Sequence, residues 1–191
     1  MIPSIRVFFA IEIKKIIRHQ ITALIDELRQ NDDYQSIQWT GPEKLHVTLT
    51  FFPQMKMVDI PDLINEVRKE LILLSPFYLA FDKLGVFPTQ QRPHYIVLER
   101  EKEITVLTSL VKTVSAVATR LGYPEDTRLF RCHMTLGKIK HQRAVAWKEH
   151  IISVIDPICV NQIVLFQSIP VQGKSTYVAL GRIPIGSNVA Q

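Results

Sequence analysis

The chain has 191 residues, 47% of them hydrophobic, and sets 23 Lys and Arg against 18 Asp and Glu for a formal charge of +5. With 21% charged residues and a mean hydropathy of +0.10, it holds too much apolar side chain to stay disordered. Its 7 Gly and 11 Pro exclude collagen-like and low-complexity sequence. No apolar run reaches the roughly 18 residues a membrane span needs. The stretch 7–11, bracketed by Arg6 and Glu12, is too short for a secretory core, so a cytoplasmic location without membrane attachment is expected.

The apolar spacing predicts a strand over 6–11, then a helix over 13–28 with Ile13, Ile16, Ile17, Leu24, Ile25 and Leu28 on one side. A strand follows over 45–52, introduced by Gly41-Pro42 and ended by Pro53. A second helix starts at 59, with Pro61 in its first turn, where a missing N–H costs nothing. Strands over 77–87 and 94–99 flank a turn at 88–93, and a third helix over 103–121 ends at Gly122, a glycine cap. The remainder reads as a strand over 130–138, a weaker helix through Trp147 and Ile151, and a closing hairpin of 163–167 and 176–180 around Gly173. Four helices among about eight strands, with short loops and no linker composition, predict an α+β architecture whose lobes pack directly together, one domain over 1–191.

Two cysteines, Cys132 and Cys159, make neither a disulfide framework nor a zinc ribbon and read as small buried hydrophobes. Charge is uneven: Arg128, Arg131, Lys138, Lys140 and Arg143 run without an acidic residue among them, which favours a polyanionic partner.

A repeat carries the chemistry. Lys44-Leu45-His46-Val47-Thr48-Leu49 and Arg131-Cys132-His133-Met134-Thr135-Leu136 share the order cation, apolar, His, apolar, Thr, Leu, with His133 lying 87 residues after His46. Side chains on a strand alternate faces, so Lys44, His46 and Thr48 share one face, and Arg131, His133 and Thr135 share another. One such triplet is explained by a wet sheet face. Two copies suggest two lobes meeting across a cleft, bringing two imidazoles, two hydroxyls and two cations into one volume. That set suits phosphodiester chemistry. A His titrates near pH 6.5, so one ring can hold a proton while its partner takes one from water. The hydroxyls and cations then stabilise charge on the non-bridging oxygens.

Other chemistries fit less well. His-x-Thr gives one good metal ligand per strand, against the three of a catalytic zinc site, so no metal and no cofactor is expected. No GxSxG, Walker A or dinucleotide glycine pattern occurs. His19, His94, His141 and His150 have no repeated partner and read as surface residues. Trp39, Phe8, Phe9 and Tyr95 could stack on a base but read first as ordinary core aromatics.

The paired His46-x-Thr48-Leu49 and His133-x-Thr135-Leu136 resemble the HxTx motifs of the two-histidine phosphoesterases. The flanks, namely Arg6-Val7-Phe8-Phe9-Ala10-Ile11, Trp39, Leu84-Gly85-Val86-Phe87-Pro88, Arg92-Pro93, Phe166-Gln167-Ser168, Gly173 and Tyr177, are similar to the RNA 2′,3′-cyclic phosphodiesterases, also called 2′-5′ RNA ligase-like proteins. Pro53, Cys132 and Lys138 stand where that family commonly has glycine, proline and arginine. Lys138 has the wrong parity to share the histidine face of a regular strand and is left out of the site; a bulge at Gly137 would change that. The resemblance implies a bilobal fold of two antiparallel sheets facing a central cleft, with helices outside. It also implies metal-free hydrolysis of RNA 2′,3′-cyclic phosphate ends by a monomer. His46 would be the acid on the departing 3′ oxygen and His133 the base on water. Thr48, Thr135, Arg131 and Lys44 would bind substrate, and the reverse reaction would join ends through a 2′-5′ bond. Two rival readings are a two-histidine phosphodiesterase for 2′-5′ oligonucleotides or another cyclic nucleotide, and an RNA-binding module whose histidines only coordinate phosphate.

Overall fold

A computed structural model of the chain describes residues 3–100, 102–125, 128–140, 150–151, 155–172 and 174–186. In chain order the elements are β1 (Ser4–Glu12), α1 (Lys15–Arg29), β2 (Ile37–Trp39), β3 (His46–Lys56), α2 (Ile60–Leu71), β4 (Phe77–Leu79), β5 (Lys83–Pro88), β6 (Pro93–Glu99) and α3 (Thr105–Arg120). After these come β7 (His133–Ile139), β8 (His150–Ile151), β9 (Ile158–Val160), β10 (Gln162–Val171) and β11 (Lys174–Pro184). The main sheet runs β11-β10-β1-β3-β7-β6-β5-β8, with β2 added beside β7, while β4 and β9 form a separate antiparallel pair.

The long sheet is two antiparallel halves with a narrow join. Within each half the ladders extend over several residues, but β3 meets β7 only at Val47 opposite Met134. Both side chains are fully buried, on the face covered by helices. There Val7, Phe9 and Ile11 of β1 and Leu49, Phe52 and Met55 of β3 share one apolar core with Ile17, Ile21 and Ile25 of α1, Leu63, Val67 and Leu71 of α2, and Leu107, Leu110, Val114 and Val117 of α3. Each helix thus presents an apolar stripe at three- and four-residue spacing, as amphipathic packing requires. The α+β architecture follows from this layering. Gly122, at φ +87°, ends α3 as expected: Gly122 and Tyr123 donate back to the Thr119 and Ala118 carbonyls, a left-handed cap that glycine adopts without strain.

Several boundaries differ from the sequence expectation. Pro53 does not end β3, which runs on to Lys56; the register against β1 shifts between Ile5 and Val7, so Pro53 sits at an irregularity where no ladder N–H is needed. The strand expected over 77–87 is two, because Phe77–Leu79 pairs with β9 whereas Lys83–Pro88 pairs with β6. Of the fourth helix, Trp147 lies outside the described residues, and Ile151 instead belongs to β8, opposite Lys83. The closing hairpin is longer than expected, from Gln162 to Pro184, while Gly173 lies outside the described residues. Cys132 and Cys159 are half-buried, not fully enclosed.

The two histidine strands share an irregularity. Phe9 and Ala10 of β1 pair with Thr50 and Thr48, leaving Leu49 as an extra residue in β3; Ile96 and Val97 of β6 pair with Gly137 and Thr135, leaving Leu136 extra in β7. Each bulge comes three residues after its histidine and reverses the parity beyond it. Gly137, beside the second bulge, permits the close approach of β2: a Cβ there would lie 2.4 Å from the Cγ2 of Ile37 and 3.2 Å from the Trp39 ring. Ile37 is buried and branched next to its backbone, so it cannot swing aside. Gly137→Ala is therefore expected to destabilise the chain by about 1–3 kcal/mol, as overpacked cores do, measured as a fall in the urea midpoint without change of slope.

Candidate active site

The site face is built by alternation on β3 and β7. In His46-Val47-Thr48-Leu49 the first and third residues are half-exposed and the others buried; His133-Met134-Thr135-Leu136 repeats the pattern. An antiparallel contact centred on Val47 and Met134 sets Thr48 across from His133 and Thr135 across from His46, all four directed away from the helix-covered core.

Each imidazole is anchored in the same way. His46 donates from Nδ1 to the Lys44 carbonyl at 2.6 Å, and His133 from Nδ1 to the Arg131 carbonyl at 2.8 Å. A ring whose Nδ1 carries the proton leaves Nε2 as its working nitrogen, basic when neutral and acidic when protonated. His46 Nε2 lies 3.1 Å from the Thr48 hydroxyl, which donates to the neutral ring. The rings are also packed: Phe87 stacks on His133 at 4.4 Å and 12°, while Phe8 lies 5.1 Å from His46 and Tyr177 meets it edge-on at 5.3 Å.

Burial is the main influence lowering the proton affinity of both rings. For His46 the Lys44 carbonyl acts in the opposite sense, and the nearby His133 charge lowers it further. For His133 the Arg131 carbonyl and then the Glu99 charge act in the raising sense, and the Arg131 charge in the lowering one. The thiol of Cys132, between Arg131 and His133, is pushed up to about 12 by burial, so it is not a nucleophile at neutral pH.

His133, Thr48 and Arg131 line one cavity of about 650 Å³, together with Phe51, Phe87, Tyr95 and Phe130. His46 lines a smaller one of about 250 Å³, with Glu12, Phe166, Tyr177 and Arg182. Thr135 shares the His133 face but borders neither. Lys44 does not lie on the strand, as the parity reading expected; it closes a short 3-10 turn, Pro42–Lys44, and its contact with the site is its carbonyl. Arg131 also precedes its strand, and its guanidinium is engaged: Nη1 donates to the Pro88 carbonyl at 2.6 Å and Nη2 to Glu99 Oε1 at 2.7 Å. Lys138, set aside on regular-strand parity, joins the His133 face because Leu136 is an extra residue, so that Lys138, Thr135 and His133 stand opposite Tyr95, Val97 and Glu99. The expected surface role of His94 is consistent with its exposed position. Among the described residues no group of three or more His, Cys, Asp or Glu is placed to hold a metal ion, and no helix is long and apolar enough to cross a membrane.

The two HxT strands thus present their histidines and threonines on one face of a two-halved antiparallel sheet. Residues 11–97 match the family model described as "LigT like Phosphoesterase". The chain is 29% identical over 140 residues, 72% of its length and 74% of the relative, to a protein of Archaeoglobus fulgidus named RNA 2′,3′-cyclic phosphodiesterase. Its fold is that of the Thermus thermophilus protein TT0787, with a TM-score of 0.82 at 18% identity over 96% of this chain and 99% of the other. It is also that of E. coli LigT complexed with 3′-AMP, at 0.78 and 21%, over 97% and 99%.

Both rings resist protonation in the folded chain, so the unfolded chain binds more protons below its ordinary histidine value of about 6.5. Their contribution to stability is whole above that pH and is lost as pH falls through their lower folded values. A His46→Gln/His133→Gln double variant should therefore lose less melting temperature than the wild type between about pH 6.5 and 5, measured by calorimetry.

Proposed function

We propose that this protein is a metal-independent RNA 2′,3′-cyclic phosphodiesterase, one two-lobed catalytic domain over 1–191 that acts as a monomer in the cytoplasm. The observation that carries the reading is the matched anchoring of His46 and His133, each with Nδ1 on the carbonyl two residues before it and a threonine on the same face. The names of curated relatives that match most of the chain support the substrate.

In the reaction, His133 Nε2 takes a proton from water as the water oxygen bonds to phosphorus. The bond from phosphorus to the 3′ oxygen breaks, and His46 Nε2–H protonates that oxygen, leaving a 2′-phosphomonoester. The assignment of His46 as acid and His133 as base follows the family resemblance. Thr48 has two states suited to this: it donates to the neutral His46 ring, and once Nε2 is protonated its hydroxyl is released to turn toward a non-bridging oxygen. Thr135 offers the equivalent donor beside His133. Arg131 and Lys138 supply positive charge on the His133 side, and Lys44 does so beside His46. The aromatic wall of the larger cavity, Phe51, Phe87 and Tyr95, offers a surface on which a base can stack. With a 5′ hydroxyl attacking phosphorus in place of water and the 3′ oxygen again departing protonated, the same groups join RNA ends through a 2′-5′ bond.

The test is a short RNA ending in a 2′,3′-cyclic phosphate, incubated with the protein in EDTA. A 2′-phosphate product is expected. A 3′-phosphate, or activity abolished by the chelator, contradicts the reading, and tight binding without turnover favours an RNA-binding module. His46→Ala and His133→Ala should each lower kcat about 10²–10⁴-fold, and the double variant far less than the product of the two, because both serve one step. Thr48→Val and Thr135→Val keep the shape but remove the donor, and each should cost about 2–4 kcal/mol of transition-state stabilisation in kcat/KM.

A further inference from the structure

The repeat that makes the two histidines alike also brings each of them a glutamate from far along the chain. Glu12 of β1 pairs across from His46, and Glu99 of β6 across from His133. Each glutamate is tied to an arginine, Glu12 to Arg182 and Glu99 to Arg131. Beyond that likeness the two half-sites part. Arg182 grips Glu12 by both oxygens, Nη1 on Oε2 and Nη2 on Oε1. Arg131 takes only Oε1 of Glu99 and spends its other terminal nitrogen on the Pro88 carbonyl.

Glu99 is also held in a prepared place. It is 9% exposed, one of two buried polar or charged residues in the described core, and its carboxylate lies over Gly85, where a Cβ would come within 2.7 Å of Cδ and 2.9 Å of Oε2. A carboxylate so confined is a fixed charge, and a buried charge beside an imidazole acts with little screening. The other titratable or charged groups around His133 are His46 across the join, Tyr95 and Arg128 lining the same cavity, Lys138 on the same strand, Lys83 beyond Glu99 on β5, and Arg131 itself, whose guanidinium lies 5.2 Å from the centre of the Phe87 ring stacked on His133.

We propose that Glu99, fixed by Arg131 over Gly85, is a positioning residue that stabilises the imidazolium formed when His133 accepts a proton, and that it thereby makes the two half-sites unequal. The inference rests on the two-histidine reading. It gives the repeat a physical reason to divide the labour: His133, beside a carboxylate, is the ring suited to receive the proton from water, while His46, whose glutamate is neutralised by a two-pronged arginine, is the ring that gives its proton up more readily. The direction of influence on His133 agrees, since Glu99 acts on it to favour the charged form.

The experiment is an NMR titration of the His133 ring in the wild type, Glu99→Gln, Arg131→Gln and the double variant. Glu99→Gln keeps the hydrogen-bonding shape and removes the charge, leaving Arg131 unopposed, so the His133 midpoint should move to lower pH. Arg131→Gln should move it to higher pH, and the double variant should fall between the two. A His133 midpoint unmoved in Glu99→Gln, or moved upward, overturns the proposal. If that variant does not fold, an unmoved or lowered midpoint in Arg131→Gln overturns it alone. The titration needs no turnover, so a protein inactive on cyclic-phosphate RNA would sink the functional reading while leaving this result legible.

Discussion

The cleft depends on one contact, the antiparallel pairing of Val47 with Met134. Two half-sheets, each stable through long ladders of its own, are joined at that pair and nowhere else along β3 and β7. Both side chains are buried in the core, where each contributes about 1.5–3 kcal/mol relative to exposure. Burying them on the helix side obliges their neighbours to face the other way. The histidines and threonines therefore reach the cleft because the residues between them are apolar. A one-residue slip of either strand would send its histidine into the core and its methionine or valine into water.

The same alternation explains what could be read in advance. The order His, apolar, Thr, apolar is a period of two written plainly, and the face shared by His46 and Thr48, or by His133 and Thr135, needed no tertiary information. Parity failed where the strands are irregular. Leu49 and Leu136 are each one residue too many for their partner strand, and nothing local distinguishes them from the other apolar positions. Lys138 was thus left off the histidine face on regular-strand parity, and the bulge named there as the exception, beside Gly137, is what the register shows. Strands Ile37–Trp39 and Ile158–Val160 escaped because three residues carry too little periodicity to register, and Phe77–Leu79 was read as continuous with Lys83–Pro88.

Glu99 shows a different limit. It lies 34 residues before His133, in a segment that reads as an ordinary strand end, and only the register of β6 on β7 places it beside the ring. Lys44 and Arg131 illustrate the complementary case. Their repeated position was visible, but the reading credited their side chains, whereas the feature common to both copies is the backbone carbonyl that fixes the imidazole tautomer. A carbonyl imposes no residue type, so the likeness of the two cations is a separate matter. Arg131 reaches across to Glu99 and Pro88, while Lys44 closes a short turn.

A pseudo-symmetric site faces a physical difficulty. Acid–base catalysis needs one ring charged and the other neutral, whereas equal environments would make the two forms equally populated and each ring equally poor at one of its tasks. Anchoring does not break that tie, because the two carbonyl contacts are equivalent. Packing breaks it weakly, with Phe87 stacked face-on against His133, and Phe8 tilted and Tyr177 edge-on against His46. Charge breaks it most directly: in the proposed step the less cancelled Glu99 favours the state after proton transfer, with His133 charged and His46 neutral, so it assists the transfer itself and not the population of the starting form. The duplicated fold thus brings two histidines together by symmetry, and under the proposed mechanism the departures from symmetry around them let the rings do different work.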